Sequence, residues 1–259
     1  MGILNVTPDS FSDGGTNLSV SDAVNSALRM IDEGADLIDI GGESTRPGAS
    51  PVSQDEELKR VIPAVKSLTQ RGIAVSVDTS KVAVARQSLE VGAVVINDVT
   101  ALAATGMADL CAEYGCTVCL MHMKGTPETM QNQPAYVNVV SEVETFLRLR
   151  AEFAQSQGIH SHRIWVDPGI GFGKTVEQNL LLIKDLGPLT SMQFPVLVGV
   201  SRKAFIGRIL GSDEPLDVLD RLEGSLAIQT IAQLSGARII RTHDVKASRR
   251  TVDMVSKFK

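Results

Sequence analysis

The sequence predicts an α/β barrel of eight strand–helix units, and three observations predict it. Eight short apolar, β-branched runs recur along 259 residues: GILNV (2–6), DLIDIG (36–41), IAVSVD (73–78), AVVIND (93–98), TVCLMH (117–122), RIWVDP (163–168), PVLVGVS (195–201) and ARIIRTH (237–243). Their hydrophobicity is near-continuous, without clean alternation, as in strands buried on both faces of a parallel sheet. A helical pattern follows every run, and eight such alternations predict a (β/α)8 TIM barrel, with a doubly wound open sheet as the competing architecture.

The length fits, because barrels of this kind run to about 250 residues as one domain. No low-complexity stretch or Pro/Gly linker divides the chain, so residues 1–259 read as a single domain.

The predicted helices cover 20–34, 54–70, 82–91, 105–115, 136–158, 176–187, 218–235 and 245–258, with a short amphipathic stretch at 204–210 before the seventh. Most begin with Ser, Thr or Asp, and several stop at a glycine, among them Gly34, Gly72, Gly92, Gly115, Gly158 and Gly236. The longest connections follow strand one (7–19), strand two (42–53) and strand five (123–135).

A net charge of −5 argues against nucleic acid as a partner, since phosphate backbones require a broad basic surface. An anionic ligand must then find a local basic pocket. No apolar run approaches the roughly 20 residues that span a bilayer, and the start MGILNVTPDSF lacks the basic and apolar regions of a signal peptide. The expected location is cytoplasmic. Cys111, Cys116 and Cys119 are too few and too clustered for a disulfide framework, and Cys116-Thr-Val-Cys119 reads as part of a buried strand with no second ligand pair at zinc spacing.

In such barrels the chemistry sits where the C-terminal strand ends converge. Those ends are polar: Asn5; Asp39 to Glu43; Asp78; Asn97 and Asp98; His122; Asp167; Ser201, Arg202 and Lys203; Arg241, Thr242 and His243. Burying so many polar groups around one axis costs roughly 1–3 kcal/mol for each left unpaired, which favours a ligand site over a structural role. Asp78, Asn97 and Asp167 offer the acceptors and amide that read a flat, nitrogen-rich heterocycle. The plainer alternative is that each Asp caps the next helix, and Asp98 is evenly balanced between the two. Ser201-Arg202-Lys203 and Arg241-Thr-His243 bring cations to strands seven and eight, where barrels often build phosphate sites; a solvated rim is the competing reading.

Asp167-Pro-Gly-Ile-Gly-Phe-Gly-Lys-Thr175 looks like a phosphate loop, but Pro168 stands where the Walker pattern needs glycine. Its glycines instead let a loop pass close to a planar ligand with Phe172 beside it. His160-Ser-His162 resembles a metal pair, yet precedes strand six and so lies at the stability face. Asn5 is a weak hard-cation ligand, sufficient for a magnesium ion that arrives with a diphosphate and keeps its waters.

At these residues the sequence resembles the dihydropteroate synthases, from the first residue to the last strand. Met1 to Gly15 (MGILNVTPDSFSDGG) and Gly41 to Gly48 (GGESTRPG) match the family's first two signatures, and Asp78-Thr-Ser, Ile96-Asn-Asp-Val, Asp167 to Lys174, Ser201-Arg-Lys and Arg241-Thr-His-Asp-Val follow in family order. The resemblance implies condensation of a dihydropterin diphosphate with p-aminobenzoate in folate biosynthesis, a step that sulfonamides target, with Mg2+ and a homodimer. It implies that Asp78, Asn97, Asp167 and Lys203 hold the pterin, with Arg241 against its ring. Asn5, Arg241 and His243 would hold the diphosphate, Asn5 through the metal. Loops 7–15 and 43–49, including Asp9 and Phe11, would close over the site, and Thr45, Arg46, Pro47 and Ser201 would shape the p-aminobenzoate pocket. The mechanism implied is dissociative, with diphosphate leaving before the arylamine attacks.

Two departures stand out. The chain starts directly on the first signature, where family members usually carry a lead-in segment, so strand one is expected to be short and the barrel floor less well sealed. Thr242 stands where relatives commonly have Val, and its hydroxyl is expected to face packing. Two other activities compete: a pterin-dependent methyltransferase barrel and a catalytically idle pterin-binding protein. Neither has reason to keep both the TPDSFSDGG loop and the pair Arg241 and His243.

Overall fold

The computed structural model describes residues 1–7, 20–44, 49, 51–126, 129–130 and 134–258. Strands β1 (Gly2–Asn5), β2 (Ile38–Gly41), β3 (Val75–Asp78), β4 (Val95–Asp98), β5 (Thr117–Met121) and β6 (Ile164–Asp167) form one parallel sheet in sequence order. Strands β7 (Leu197–Gly199) and β8 (Ile239–Arg241) form a second parallel pair. Single parallel bridges join the two sets at both edges, Val166 to Val196 and Gly2 to Thr242. The bonds there are Val166 N to Pro195 O at 3.0 Å, Ile3 N to Thr242 O at 2.9 Å and Thr242 N to Met1 O at 3.0 Å. The eight strands therefore close on themselves as a TIM barrel. Beside β1, Met1 N donates to Ile240 O at 3.1 Å.

Ten α-helices accompany the strands among the described residues: α1 (Val20–Asp32), α2 (Gln54–Thr69), α3 (Val82–Glu90), α4 (Met107–Tyr114), α5 (Val139–Ser156), α6 (Val176–Lys184), α7 (Gly187–Ser191), α8 (Ala204–Leu210), α9 (Leu222–Leu234) and α10 (Val245–Val255). The core lies between ring and helices, where Ile38, Ile40, Val75 and Val77 of the strands are fully buried with Val61, Val65 and Leu68 of α2. Burial on both faces explains the continuous apolar runs. All six predicted glycine stops adopt positive φ, the left-handed turn that ends a helix.

Differences from the sequence expectation have local causes. Helix α5 starts at Val139, not 136, because the Asn138 side chain accepts from Val140 N and Ser141 N, both at 3.1 Å. Helix α6 ends at Lys184, and Pro188 fits the first turn of a new helix, α7, that the pattern did not separate. The 218–235 segment begins as a 3-10 turn, Val218–Arg221, kinked at Asp220 before α9. Thr175 opens α6 with a capping box completed by Gln178, which anchors the loop leaving β6.

Asp98 is settled as a backbone cap. Its carboxylate accepts from Thr100 N at 2.8 Å, Thr100 Oγ1 at 2.7 Å and Leu102 N at 2.9 Å. These bonds hold Ala101 and Leu102 at positive φ, a conformation that costs a non-glycine residue about 1–3 kcal/mol unless its surroundings enforce it.

Candidate active site

The strand register sets the site. Asn5 pairs with Gly41, Gly41 with Asp78, and Asp78 with Asn97, so these four positions share one level of the ring. A Cβ at Gly41 would lie 3.6 Å from both Asn5 Oδ1 and Asp78 Cβ, so glycine there leaves the space between them open. Across the barrel, Arg241 pairs in register with Gly199, and a Cβ there would only touch the arginine stem, at 3.7 Å from Arg241 Cβ.

Arg241 reaches into the ring. Its Nε donates to Asp39 Oδ2 at 2.6 Å and its Nη2 to Asp78 Oδ2 at 2.9 Å, while Asn97 Nδ2 donates to the same Asp39 oxygen at 3.1 Å. Asp39 is fully buried, and its Oδ1 has no hydrogen-bond partner among the described residues. Asp39 is a site residue that sequence reasoning did not assign; the signal was an inward carboxylate two positions before Gly41, on the same face of β2. Burial pushes the Asp78 carboxyl up to about 7, with Asp39 and Asp98 adding to the rise and Arg241 opposing it. Burial alone would lower Arg241, but Asp39 and Asp78 more than offset it and keep the guanidinium charged. Asp78 is thus no helix cap, and Lys81 holds the cap position of α3 instead.

The facing wall carries Asp167, Lys203 and Phe172. Asp167 Oδ1 accepts from Gly169 N at 2.7 Å, and burial raises its pKa against the nearby Lys203 charge. Lys203 Nζ donates to Ile170 O and sits 4.2 Å from the Phe172 ring centre, a cation–π contact. Burial lowers Lys203 to about 8, with Asp167 opposing. Gly171 lets this lysine pass, since a Cβ there would meet Lys203 Cδ at 2.9 Å.

The cationic cluster expected at strands seven and eight divides. Arg202 turns away to Asp244, its Nε donating to Oδ2 at 2.9 Å with a second contact from Nη2 to Oδ1. His243 stays with the site: its backbone N donates to Ser201 Oγ, which also lies 3.1 Å from His243 Nδ1. Thr242 faces packing as expected, 2.9 Å from Ser248 Oγ. The three cysteines are buried, and His160 and His162 are exposed with their rings stacked 5.5 Å apart. Asp9, Phe11, Thr45, Arg46 and Pro47 lie outside the described residues. The base of the second loop is nonetheless anchored by Lys81, which pairs with both Glu43 and buried Glu57, and by Arg60, which donates to Gly42 O at 3.0 Å. Nothing in the motif spacing had singled out that anchor.

Three carboxylates, two amides, two cations and an aromatic ring thus gather at the strand ends and the loop after β6, a set suited to a nitrogen-rich ring and an adjoining anion. The family model described as pterin binding enzyme matches residues 1–243. The chain belongs to the dihydropteroate synthase family of pterin-binding enzymes. It is 50% identical over 247 residues to the dihydropteroate synthase of Escherichia coli strain K12, covering 95% of this chain and 86% of that one. Dihydropteroate synthase from Yersinia pestis, solved with a sulfonamide drug, superposes with a TM-score of 0.93 at 45% identity, over 99% of this chain and 92% of that one. The Xanthomonas albilineans enzyme, solved with 4-aminobenzoic acid, gives 0.92 at 44% identity over 99% and 91%.

Replacing Arg241→Leu should destabilise the protein by about 3–5 kcal/mol in urea unfolding, because Asp39 is left buried without its counter-charge. The pair Arg241→Leu with Asp39→Asn should recover part of that loss. A single-variant loss below about 1 kcal/mol would show that the pair does not carry the ring.

Proposed function

We propose that this chain condenses a 6-hydroxymethyl-dihydropterin diphosphate with p-aminobenzoate, giving dihydropteroate and diphosphate. The observation that carries the reading is the convergence of Asp78, Asn97, Asp167 and Lys203 on one axis beside Arg241, in a chain half identical to a dihydropteroate synthase. The guanidine-like edge of a pterin presents N–H donors, which suit the Asp78 and Asp167 carboxylates; its carbonyl suits Lys203. Phe172 and the Arg241 guanidinium supply flat surfaces for the ring. The relative solved with 4-aminobenzoic acid supports the second substrate.

Diphosphate fits beside Asn5, Arg241 and His243. Asn5 carries a neutral amide oxygen at the strand end, next to the space that Gly41 leaves open, and a hard cation takes such an oxygen together with phosphate oxygens and water. Among the described residues no group of three His, Cys, Asp or Glu side chains is placed to hold a metal, so a magnesium ion at Asn5 would draw its remaining ligands from diphosphate and solvent. When bound, magnesium supplies neutralisation of the diphosphate charge.

The chemistry proceeds by breaking the bond between the exocyclic methylene and the diphosphate oxygen, the electron pair leaving with diphosphate. Arg241 and His243 hold the departing anion. The cation left behind is delocalised into the pterin, and the Asp78 carboxylate stabilises it. The aniline nitrogen of p-aminobenzoate then attacks the methylene. That amine is neutral near pH 7 and the proton it loses after attack is acidic, so no strong general base is assigned. Ser201, 3.1 Å from His243 Nδ1, is assigned to the pocket for the second substrate.

No helix among the described residues is long and apolar enough to cross a membrane. Three buried free thiols suit a cytoplasmic setting. A homodimer is supported by an apolar surface on α9, α10 and the segment after it, where Leu234, Met254 and Phe258 are 55%, 64% and 76% exposed. Light scattering should give twice the monomer mass, and a monomer at micromolar concentration would remove that assembly.

Protein, magnesium, the pterin diphosphate and p-aminobenzoate should together yield dihydropteroate and diphosphate. Lys203→Ala should lower kcat/KM at least about 100-fold, and a variant near the wild-type value would refute its role. Affinity for a dihydropterin lacking diphosphate should rise with pH through about 7 and fall again above about 8. Asp78 has a raised pKa and accepts donors as a carboxylate only above 7; Lys203 has a lowered pKa and carries its proton only below 8. Calorimetric titration showing constant affinity from pH 6 to 9 would contradict the assignment.

A further inference from the structure

The loop leaving β6 ends in Lys174, a lysine at the place where a phosphate loop would put one. Its Nζ is surrounded by acceptors of the protein itself. Lys174 is 3% exposed, and its Nζ lies 2.9 Å from Gly169 O, 2.9 Å from Phe172 O, 3.0 Å from His122 Nδ1 and 3.3 Å from His122 O. Two of these oxygens belong to the loop itself, and the other two acceptors belong to the residue following β5. The ammonium is therefore a pin through both segments. Burial lowers Lys174 to about 7, with Asp167 opposing, so the pin is an ammonium below neutral pH. In that form Nζ donates, His122 Nδ1 accepts and the imidazole proton sits on Nε2; burial first, then the Lys174 charge, holds this imidazole neutral, with its pKa down to about 3. Phe146 meets the ring edge-on at 5.0 Å and fixes its plane.

The two segments lie too close for side chains between them. A Cβ at Gly169 would stand 1.8 Å from His122 O, and one at Gly173 would stand 2.5 Å from Lys124 O. Such an approach crowds carbonyl oxygens together, and the ammonium is the group that offsets their repulsion. The rest of the loop is tied outward: Gly171 N donates to Asn179 Oδ1 at 2.7 Å, and Tyr136 Oη donates to Gly173 O at 2.8 Å. What the pinned loop presents to the barrel mouth is the Phe172 ring and the Ile170 carbonyl, the two groups that hold Lys203.

We propose that Lys174 is a positioning residue for pterin recognition: by caging its ammonium among Gly169, Phe172 and His122, it fixes the Phe172 ring and the Ile170 carbonyl that aim Lys203. The proposal rests on the reading of this face as the pterin site. Lys174 touches no substrate, and its effect passes through one wall only. The hydrogen bonds of the pin go to Gly169, Phe172 and His122, while those of the other wall join Asp39, Asp78, Asn97 and Arg241.

The test is the steady-state kinetics of wild type and Lys174→Met side by side, with fluorescence titration of a dihydropterin that lacks diphosphate. Wild-type turnover judges the reaction itself, independently of the variant. In Lys174→Met the KM for the pterin diphosphate should rise about tenfold or more, with the same loss in the titration, while the KM for p-aminobenzoate stays within about twofold and kcat falls less than about threefold. An unchanged pterin KM, a fall in kcat alone, or equal losses for both substrates would overturn the proposal. Should the methionine variant fail to fold, Lys174→Gln keeps donors for two of the acceptors, and its pterin KM should rise about threefold with p-aminobenzoate unaffected. Wild-type constants in that variant, or its failure to fold as well, would show that Lys174 serves the barrel and not the pterin wall.

Discussion

A guanidinium held between two carboxylates organises the barrel mouth. Arg241 comes from β8, whose neighbours in the ring are β7 and β1, yet it bonds Asp39 on β2 and Asp78 on β3 across the interior. Asn97 extends the link to β4. Removing these charges from water is expensive, and their mutual attraction roughly returns that cost without a large surplus. The gain is in geometry. Donors and acceptors are fixed before any substrate arrives, and polar groups placed in advance do not have to reorganise as charge develops.

Around that link the site divides by chemistry. Asp78, Asn97 and Asp167 are acceptors and an amide on β3, β4 and β6, while the cations come from Lys203 after β7 and Arg241 on β8. Burial moves Asp78 and Lys203 in opposite directions, toward each other and toward neutral pH. Each is then sensitive to what the ligand brings, since a proton donor beside Asp78 or an acceptor beside Lys203 favours the charged form. The loop between β6 and α6 belongs to the second wall, and it is wired by two lysines facing opposite ways: Lys203 from the mouth and Lys174 from beneath.

Most of the elements were legible because their signals are local. Glycine stops, Ser, Thr or Asp at helix starts and continuous apolar runs each specify a helix end or a doubly buried strand within a few residues. The misplaced boundaries were local as well, but needed side-chain geometry: Asn138 had to be seen accepting two backbone N–H groups, and Pro188 had to be recognised as the start of α7. The site was legible in part. Polar residues at apolar strand ends marked Asp78, Asn97, Asp167, Lys203 and Arg241. The same rule could not separate Asp98, spent on its own loop, or Arg202, spent on Asp244, from the groups that face one another at the barrel mouth.

What the sequence determined by itself was therefore the set of elements and the set of polar groups at the strand ends, because both follow from spacing along the chain. Tertiary structure decided which groups face each other. Closure rests on single bridges at two edges, and the register around the ring places Asp39 one level below Asp78, within reach of the same guanidinium. A shift of one residue in that register would turn each inward side chain outward. Contacts between residues 202 positions apart, as in Arg241–Asp39, or 52 apart, as in Lys174–His122, leave no trace in local periodicity, so the Arg241 clamp and the Lys174 pin became visible only in the tertiary structure.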